Sequence, residues 1–184
     1  MTRYAVTRGR PDDLVAALEA DLVALAAAEA DLERDAEAAE RTRIERASIT
    51  LADRLRGASG PVEISVPGGR LAGLVTEVGA GWALIGQGRT LGRPDTSEHL
   101  VALAQVLTVR GLGRASAPTG RRTPRTMTSV LRVWCRDRAQ VSVLRVDGES
   151  LLGRASASYA DHLELAVAGG TLVLPLSAVA VVSR

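Results

Sequence analysis

Residues 61–73, PVEISVPGGRLAG, decide the fold of most of this chain. Val62, Ile64 and Val66 alternate with polar or exposed positions, which is the period of a half-buried β-strand. A Pro-Gly-Gly turn follows at residues 67–69, and a second alternating stretch begins directly behind it, so the sequence predicts a β-hairpin. From this point onward we expect short strands joined by tight turns.

The same design returns about eighty residues later. The matched pairs are Val66 with Val146, Gly68 with Gly148, Leu71 with Leu151, Gly73 with Gly153, Ala80 with Ala160, Trp82 with His162 and Ile85 with Leu165. Near the end of each copy, residues 101–106 resemble residues 174–179, and the first copy carries seven extra residues within 88–98. Matches at turn glycines and core positions indicate a duplication. Each copy predicts about five strands, which should curl into a small barrel and lean on its twin.

The first third of the chain predicts helix. Residues 12–56 contain no Pro and no Gly, Pro11 with two following aspartates is typical of a helix start, and Gly57 marks the end. One helix of about 45 residues would measure roughly 67 Å at ~1.5 Å per residue. Because a domain of this size cannot bury so long a rod on itself, we expect either a bend near residues 41–43 or pairing with another chain.

A leucine seam runs along this predicted helix. Leu18, Leu25 and Leu32 recur every seven residues, with Leu22 between the first two. Such a heptad-like spacing predicts a coiled coil, and hence self-association as a homo-oligomer through the N-terminal helix. The alternative is a solvated helical hairpin that covers the rest of the protein.

A basic connector, residues 110–138, lies between the two copies. It holds eight arginines and one aspartate, a net charge of +7, whereas the whole chain carries only +2. One interpretation is an electrostatic contact site for nucleic acid. The other is a structural element whose arginines pair with the acidic first helix. The candidate nucleic-acid contacts are Arg110, Arg114, Arg121, Arg122 and Arg125.

The two parts of the connector differ in composition. The part before Pro124 is rich in Gly, Pro, Ser and Thr and predicts a mobile loop. The part behind it predicts a helix that Thr126 or Thr128 would cap. Its apolar face consists of Met127, Val130, Leu131 and Trp134. We expect this helix to pack between the barrels.

Composition excludes several classes of site. The chain has one cysteine, Cys135, and two histidines, His99 and His162, which excludes a disulfide scaffold and any multi-cysteine zinc site. Because His162 stands where the first copy has Trp82, we expect it to pack rather than to react. No apolar run approaches ~20 residues and no signal peptide is visible, so we expect a cytoplasmic protein without a membrane segment. The sequence contains no nucleophile–base, metal-ligand or phosphate-loop motif, so we predict no catalytic residue, no metal, no cofactor and no enzyme.

Several residues of the second copy follow a spacing known from small barrels. They are Val141, Val143, Asp147, Gly148, Gly153, Asp161, Leu163 and Leu165. This pattern resembles the first half of an Sm-like or SH3-like small barrel. In Sm proteins the corresponding stretch lines an RNA-binding ring. Glu164 stands where the Sm pattern has Asn, and a carboxylate there would repel phosphate; the Arg-Gly of the second Sm motif occurs only as Arg110-Gly111.

Four further stretches carry a resemblance over the whole chain. They are RTRIERAS at 41–48, LADRL at 51–55, DHLEL at 161–165 and Pro175-Leu176. They are similar to those of an actinobacterial protein family of about this length, some members of which are labelled Fis-family transcriptional regulators. Fis proteins end in a helix-turn-helix, whereas residues 172–182, LVLPLSAVAVV, predict strand here.

The sequence therefore predicts an α+β chain with four segments. They are a helical segment at 1–57, a first small β-barrel at 61–112, a basic linker and connecting helix at 113–138, and a second small β-barrel at 139–184. The leading functional hypothesis is a non-catalytic, self-associating structural or adaptor protein with an unidentified protein partner. The alternative is a nucleic-acid-binding regulator that uses the arginine connector.

Overall fold

The structure is a computed structural model in which the chain forms two compact units, Met1–Ser48 and Ile49–Arg184. The described residues are 11–86, 97–118 and 124–184, without the side chains of 11–14, 16–18 and 20. Across this described part, no helix has both the length and the apolar composition needed to cross a lipid bilayer.

The first unit contains one long helix, α1, which runs from Pro11 to Ser48 over 38 residues. It begins at the proline that the sequence indicated. The helix continues without a break through residues 41–43, where a bend was one of the two alternatives. Ion pairs between Glu37 and Arg41, at 3.1 Å, and between Glu40 and Arg43, at 2.5 Å, bridge successive turns there. Within the described residues of this unit, the helix therefore does not fold back as a hairpin.

The predicted helix over 12–56 is interrupted just after α1. Thr50 starts a separate short helix, α2 (Leu51–Arg56), by a reciprocal capping box. The Asp53 amide donates to Thr50 Oγ1 at 3.1 Å, and the Thr50 amide donates to Asp53 Oδ2 at 2.9 Å. Gly57 then ends α2, as the sequence predicted. The capping box satisfies backbone donors that would otherwise be lost where the helix stops.

The described residues of the second unit form α2, a helix α3 (Met127–Arg136) and ten strands. The strands are β1 Val62–Val66, β2 Gly69–Val78, β3 Trp82–Gly86, β4 Glu98–Ala102, β5 Thr108–Arg110, β6 Gln140–Arg145, β7 Ser150–Ser158, β8 His162–Val167, β9 Gly170–Pro175 and β10 Val179–Ser183. They pair in the order β5-β1-β2-β3-β4-β10-β6-β7-β8-β9 as one antiparallel sheet. The α+β class is confirmed, whereas two separate barrels are not, because β4 pairs with β10 and joins the strands into one sheet.

The predicted turns and the C-terminal strands are present. Gly68 and Gly148 have positive φ angles of 74° and 86°, which glycine adopts without a steric penalty, at the β1–β2 and β6–β7 turns. Residues 172–182, predicted as strand, lie in β9 and β10 with a short 3₁₀ turn, Leu176–Ala178, between them. The predicted insertion within 88–98 lies mostly outside the described residues.

Two apolar clusters fill the second unit, and the central strands supply side chains to both. Trp82, Leu84 and Leu100 of β3 and β4 join the apolar face of α3 and the inner residues of β6–β10. Their neighbours on the opposite face of β3 and β4 pack with α2 and β1, together with Ala180 and Val181 of β10. Each cluster therefore contains side chains from both sets of five strands. Burial of each large apolar side chain contributes about 1.5–3 kcal/mol, so the two sets depend on one another for stability.

Candidate functional site

The described leucine side chains of the α1 seam are exposed to solvent. Leu22, Leu25 and Leu32 each have more than half of their surface exposed. Leu18 also belongs to α1, but its side chain lies outside the described residues. Ion pairs on the surface of this helix join Arg34 with Asp31, Arg41 with Glu37 and Arg43 with Glu40. The apolar stripe is therefore the part of α1 that has contacts to gain from another molecule.

The predicted nucleic-acid residues do not form one cluster. Arg110 ends β5 opposite Glu63, and Arg114 is exposed in the segment that follows. Arg125 lies 3.3 Å from Glu77 Oε2 in an ion pair. Arg121 and Arg122 lie outside the described residues. Among the arginines of the connector that the structure describes, four are exposed without an ion-pair partner: Arg110, Arg114, Arg132 and Arg138.

The first part of the connector lies outside helices and strands at residues 111–118, and hydrogen bonds join it to α2. Arg54 donates to the Gly113 carbonyl at 2.9 Å, and the Ala117 amide donates to the Asp53 carbonyl at 2.9 Å. The first turn of α2 therefore forms the capping box and also hydrogen-bonds the chain segment at residues 113–117. Hydrogen bonds from Thr50 lower the pKa of Asp53 below its usual value, with a further contribution from Arg56.

Helix α3 is amphipathic as predicted. Thr126 caps it by accepting from the Ser129 amide at 3.3 Å, and Val130, Leu131 and Trp134 are buried. Its arginines make contacts within the second unit, close to the helix itself. Arg132 donates to the Ser158 carbonyl at 3.5 Å. Arg136 lies 3.7 Å from Asp137.

The side chains Trp82 and His162, paired in the sequence comparison, have different surroundings. Trp82 is fully buried and donates from Nε1 to the Arg125 carbonyl at 2.8 Å. His162 lies at the surface, stacked on Tyr159 at 4.5 Å between ring centres, with Nδ1 2.7 Å from Asp161. The hydrogen bond from His162 lowers the pKa of Asp161. His162 thus packs against Tyr159 at the surface, whereas Trp82 packs in the buried cluster that contains the apolar face of α3.

The two outer edges of the sheet were not predicted as sites. Within the described residues, no strand pairs with the outer side of β5 or with the outer side of β9. Large apolar side chains lie exposed beside both edges: Leu107 precedes β5, and Leu172 and Val173 belong to β9. Exposed strand edges present unpaired backbone donors and acceptors to a partner. A sequence signal existed, since β9 continues as LVLP where an exposed edge would favour charged residues.

The reactive side chains show little preparation for chemistry. Cys135 is partly buried in α3, and its burial raises the pKa of the thiol, which disfavours the reactive thiolate. In the part of the chain that the structure describes, no group of three or more His, Cys, Asp or Glu side chains could hold a metal ion.

No family model matches the chain, and no curated protein or solved structure shows significant similarity to it. Function has to be inferred from the geometry of the exposed surfaces.

Proposed function

We propose that this protein is a non-catalytic, self-associating structural or adaptor protein whose N-terminal helix pairs with the same helix of a second copy. The observation that carries the proposal is the exposed stripe of Leu22, Leu25 and Leu32 on an uninterrupted 38-residue helix. Removal of one leucine from water is worth about 1.5–3 kcal/mol, so a paired stripe contributes several times this amount. A helix of this length, about 57 Å at ~1.5 Å per residue, offers a long seam for such pairing.

We also propose that β1–β5 and β6–β10 are two copies of one small barrel-like unit, each preceded by a helix. The strand order within the first set, β5-β1-β2-β3-β4, matches the order β10-β6-β7-β8-β9 within the second. A bulge interrupts β2–β3 between Val75 and Glu77, and another interrupts β7–β8 between Ala155 and Ala157, eighty positions further along the chain. Bulges at equivalent positions of the two strand sets support a duplication more strongly than the sequence matches alone do.

Side-chain and backbone contacts at these bulges support the same proposal. Thr76 donates its hydroxyl to the Leu84 carbonyl at 3.1 Å, and Ser156 donates its hydroxyl to the Glu164 carbonyl at 3.1 Å. The pairing of residues between β1 and β6 differs by one position from the pairing that the sequence comparison gave. Val62 lies opposite Gly73, whereas Val141 rather than Ser142 lies opposite Gly153, because the second hairpin is one residue longer.

Sedimentation analysis of the full chain tests the helix pairing. Leu25→Glu should raise the dimer dissociation constant by about 100-fold or more, since each of two leucine contacts of ~1.5–3 kcal/mol is lost. Val23→Glu is the matched control, because Val23 is exposed and lies about 160° around the helix from Leu25. A wild-type chain that remains monomeric at high micromolar concentration would contradict the proposal.

A nucleic-acid-binding regulator is the second candidate function, and the exposed, unpaired Arg110 and Arg114 favour it. If they meet phosphates, affinity for mixed-sequence DNA or RNA should fall steeply with salt, and Arg110→Ser with Arg114→Ser should flatten that slope by about 0.9 per lost contact. Arg154→Ser, which removes an exposed arginine outside the connector, is the control. Wild-type binding weaker than about 10⁻⁴ M at ~150 mM salt, below the range of non-specific binding, would remove this candidate.

A further inference from the structure

The two sets of strands, β1–β5 and β6–β10, are joined by one strand pair, which we call the junction. At this junction β10 pairs with β4, with Val182 opposite Leu100 and Ser183 opposite His99. Glu98 and Arg184 exchange two backbone hydrogen bonds of 3.0 Å at its end. The side chains Ala180 and Leu100 at the junction are fully buried. The junction is therefore a continuous, well-covered strand pair.

The two outer edges of the sheet correspond to the two halves of this junction. If the strand sets are copies, β5 holds the place of β10, and β9 holds the place of β4. The register agrees throughout: Ile64 lies opposite Val109 in β5, and Val143 lies opposite Val182 in β10. One chain thus carries a β10-like edge at one end of its sheet and a β4-like edge at the other.

Equivalent side chains are buried at the junction and exposed at the outer edges. Ala180 has no exposed surface, whereas Leu107, which precedes β5 at the same place, is 63% exposed. Leu100 has no exposed surface, whereas Val173 of β9 is 58% exposed. Apolar side chains have been kept at positions that the junction buries, although nothing among the described residues covers them at the edges. This is the pattern of an interface that lacks its partner.

The helices show the same difference. Val130 of α3 is 5% exposed because it packs in the cluster that contains Trp82 and Leu100 of the neighbouring strands. Leu51 of α2 lies as many residues before Val62 as Val130 lies before Val141, and it is 36% exposed. A neighbouring β8–β9 face beside α2 would cover Leu51 as the β3–β4 face covers Val130.

We propose that the outer edge of β9 binds β5 of a second copy of this chain, antiparallel, in the register of the β4–β10 junction. This register places Thr108 of one copy opposite Leu174 of the other, Val109 opposite Val173, and Arg110 opposite Leu172. The inference rests on the proposed self-association and duplication, but it uses a surface separate from α1. The contact is heterologous, since the two copies contribute different edges.

Engineered disulfides between two full-length chains test both the contact and its register. Glu98 and Arg184 form a hydrogen-bonded pair, so the next pair, His99 and Ser183, is a non-hydrogen-bonded pair with closely spaced side chains. Arg110 and Leu172 inherit that position at the proposed contact, and both are exposed. One chain carries Arg110→Cys and the other Leu172→Cys, each with Cys135→Ser. Upon mild oxidation, the mixture should give a disulfide-linked dimer that neither chain gives alone.

Two controls make the experiment decisive. His99→Cys with Ser183→Cys in one chain should form an intramolecular disulfide, which shows that the geometry of this pair permits the bond. Arg110→Cys mixed with Val173→Cys, shifted by one residue to the other sheet face, should give at least ~10-fold less dimer. If the His99–Ser183 control forms and the Arg110–Leu172 pair does not, the proposed contact is overturned.

The same mixture prepared in Leu25→Glu chains separates this contact from pairing through α1. Formation of the Arg110–Leu172 disulfide in that background supports the edge contact whatever Leu25→Glu does to the dimer. In sedimentation, Val173→Lys should abolish the association that remains in Leu25→Glu chains, because lysine on a strand edge opposes pairing. Leu152→Lys, at an exposed position on β7, should leave it unchanged. Equal loss with both lysine variants would count against the edge contact.

Discussion

The face of β3–β4 and the face of β8–β9 have the same strand pairing and opposite chemistry. Trp82 and Leu84 point into a buried cluster beneath α3, whereas His162 and Glu164 occupy the same places and are partly exposed. The pairing is equal in kind: Trp82 lies opposite Ala102, and His162 lies opposite Pro175. What differs is the neighbour on that face. Equivalent strand faces are therefore buried or exposed according to whether another element packs on them, as α3 does near Trp82.

The largest expected effect comes from truncation at these two equivalent positions. Trp82→Ala should lower the free energy of unfolding by about 3–5 kcal/mol, since it leaves a cavity under α3 and removes the hydrogen bond to Arg125. His162→Ala should change it by less than ~0.5 kcal/mol, as is usual for surface sites. Urea denaturation followed by tryptophan fluorescence and by far-ultraviolet circular dichroism measures both. Similar losses of unfolding free energy at the two positions would contradict the difference between the two strand faces.

An intermediate effect is expected at the paired glycines of β2 and β7. A Cβ at Gly73 would lie 2.3 Å from the Gly86 carbonyl oxygen, whereas a Cβ at Gly153 would lie 3.0 Å from the Ala166 carbonyl oxygen. Backbone has to move in the first case, so Gly73→Ala should cost about 1–3 kcal/mol, as overpacking does, and Gly153→Ala clearly less. Thermal unfolding of the two variants gives the order. A larger loss for Gly153→Ala would contradict it.

The smallest effect concerns the caps of α2 and α3. Thr50→Ala and Thr126→Ala should each cost about 1 kcal/mol near neutral pH, as the loss of an N-cap does. Only the stability loss caused by Thr50→Ala should depend on pH in the acid range. Thr50 lowers the pKa of Asp53 below its ordinary value of 3.8, so this carboxylate stabilises the fold above that value and ceases to do so as the pH falls through its folded pKa.

Denaturant unfolding at pH 7 and at progressively lower pH tests this difference. The loss caused by Thr50→Ala should shrink as the pH falls below the ordinary aspartate range, while the loss caused by Thr126→Ala should stay nearly constant. Asp53→Asn is the matched variant, because it removes the titrating group and keeps the side-chain shape. If Thr126→Ala shows the same acid dependence as Thr50→Ala, the capping box of α2 is not its source.

Local features of the fold could be predicted from the sequence. Alternation at Val62, Ile64 and Val66 predicted a strand, and Pro11 and Gly57 marked helix boundaries, because these signals act over a few residues. The break before α2 was missed, although Thr50 and Asp53 form the spacing of a capping box. An uninterrupted run without Pro or Gly outweighed that signal in the prediction.

Long-range pairing could not be predicted in the same way. Nothing in the local pattern of β4 or β10 specifies that one pairs with the other, since both are short apolar strands. The candidate site shows the same limit. The exposed leucines of α1 follow from spacing alone, but the role of Arg125 does not: its carbonyl binds Trp82, and its guanidinium pairs with Glu77. Charge counts describe a segment, whereas the fold assigns each arginine its partner.

The position of β10 in the sheet has a consequence for the order in which the protein is made. It follows the other nine described strands along the sequence, yet it lies between β4 and β6 in the middle of the sheet. During synthesis, the earlier strands emerge from the ribosome before the strand that joins them is available. Until Ala180 and Val181 arrive, the cluster around Ile64 and Ile85 lacks part of its cover. The facing edges of β4 and β6 therefore stay unpaired until β10 has been synthesised and inserts between them.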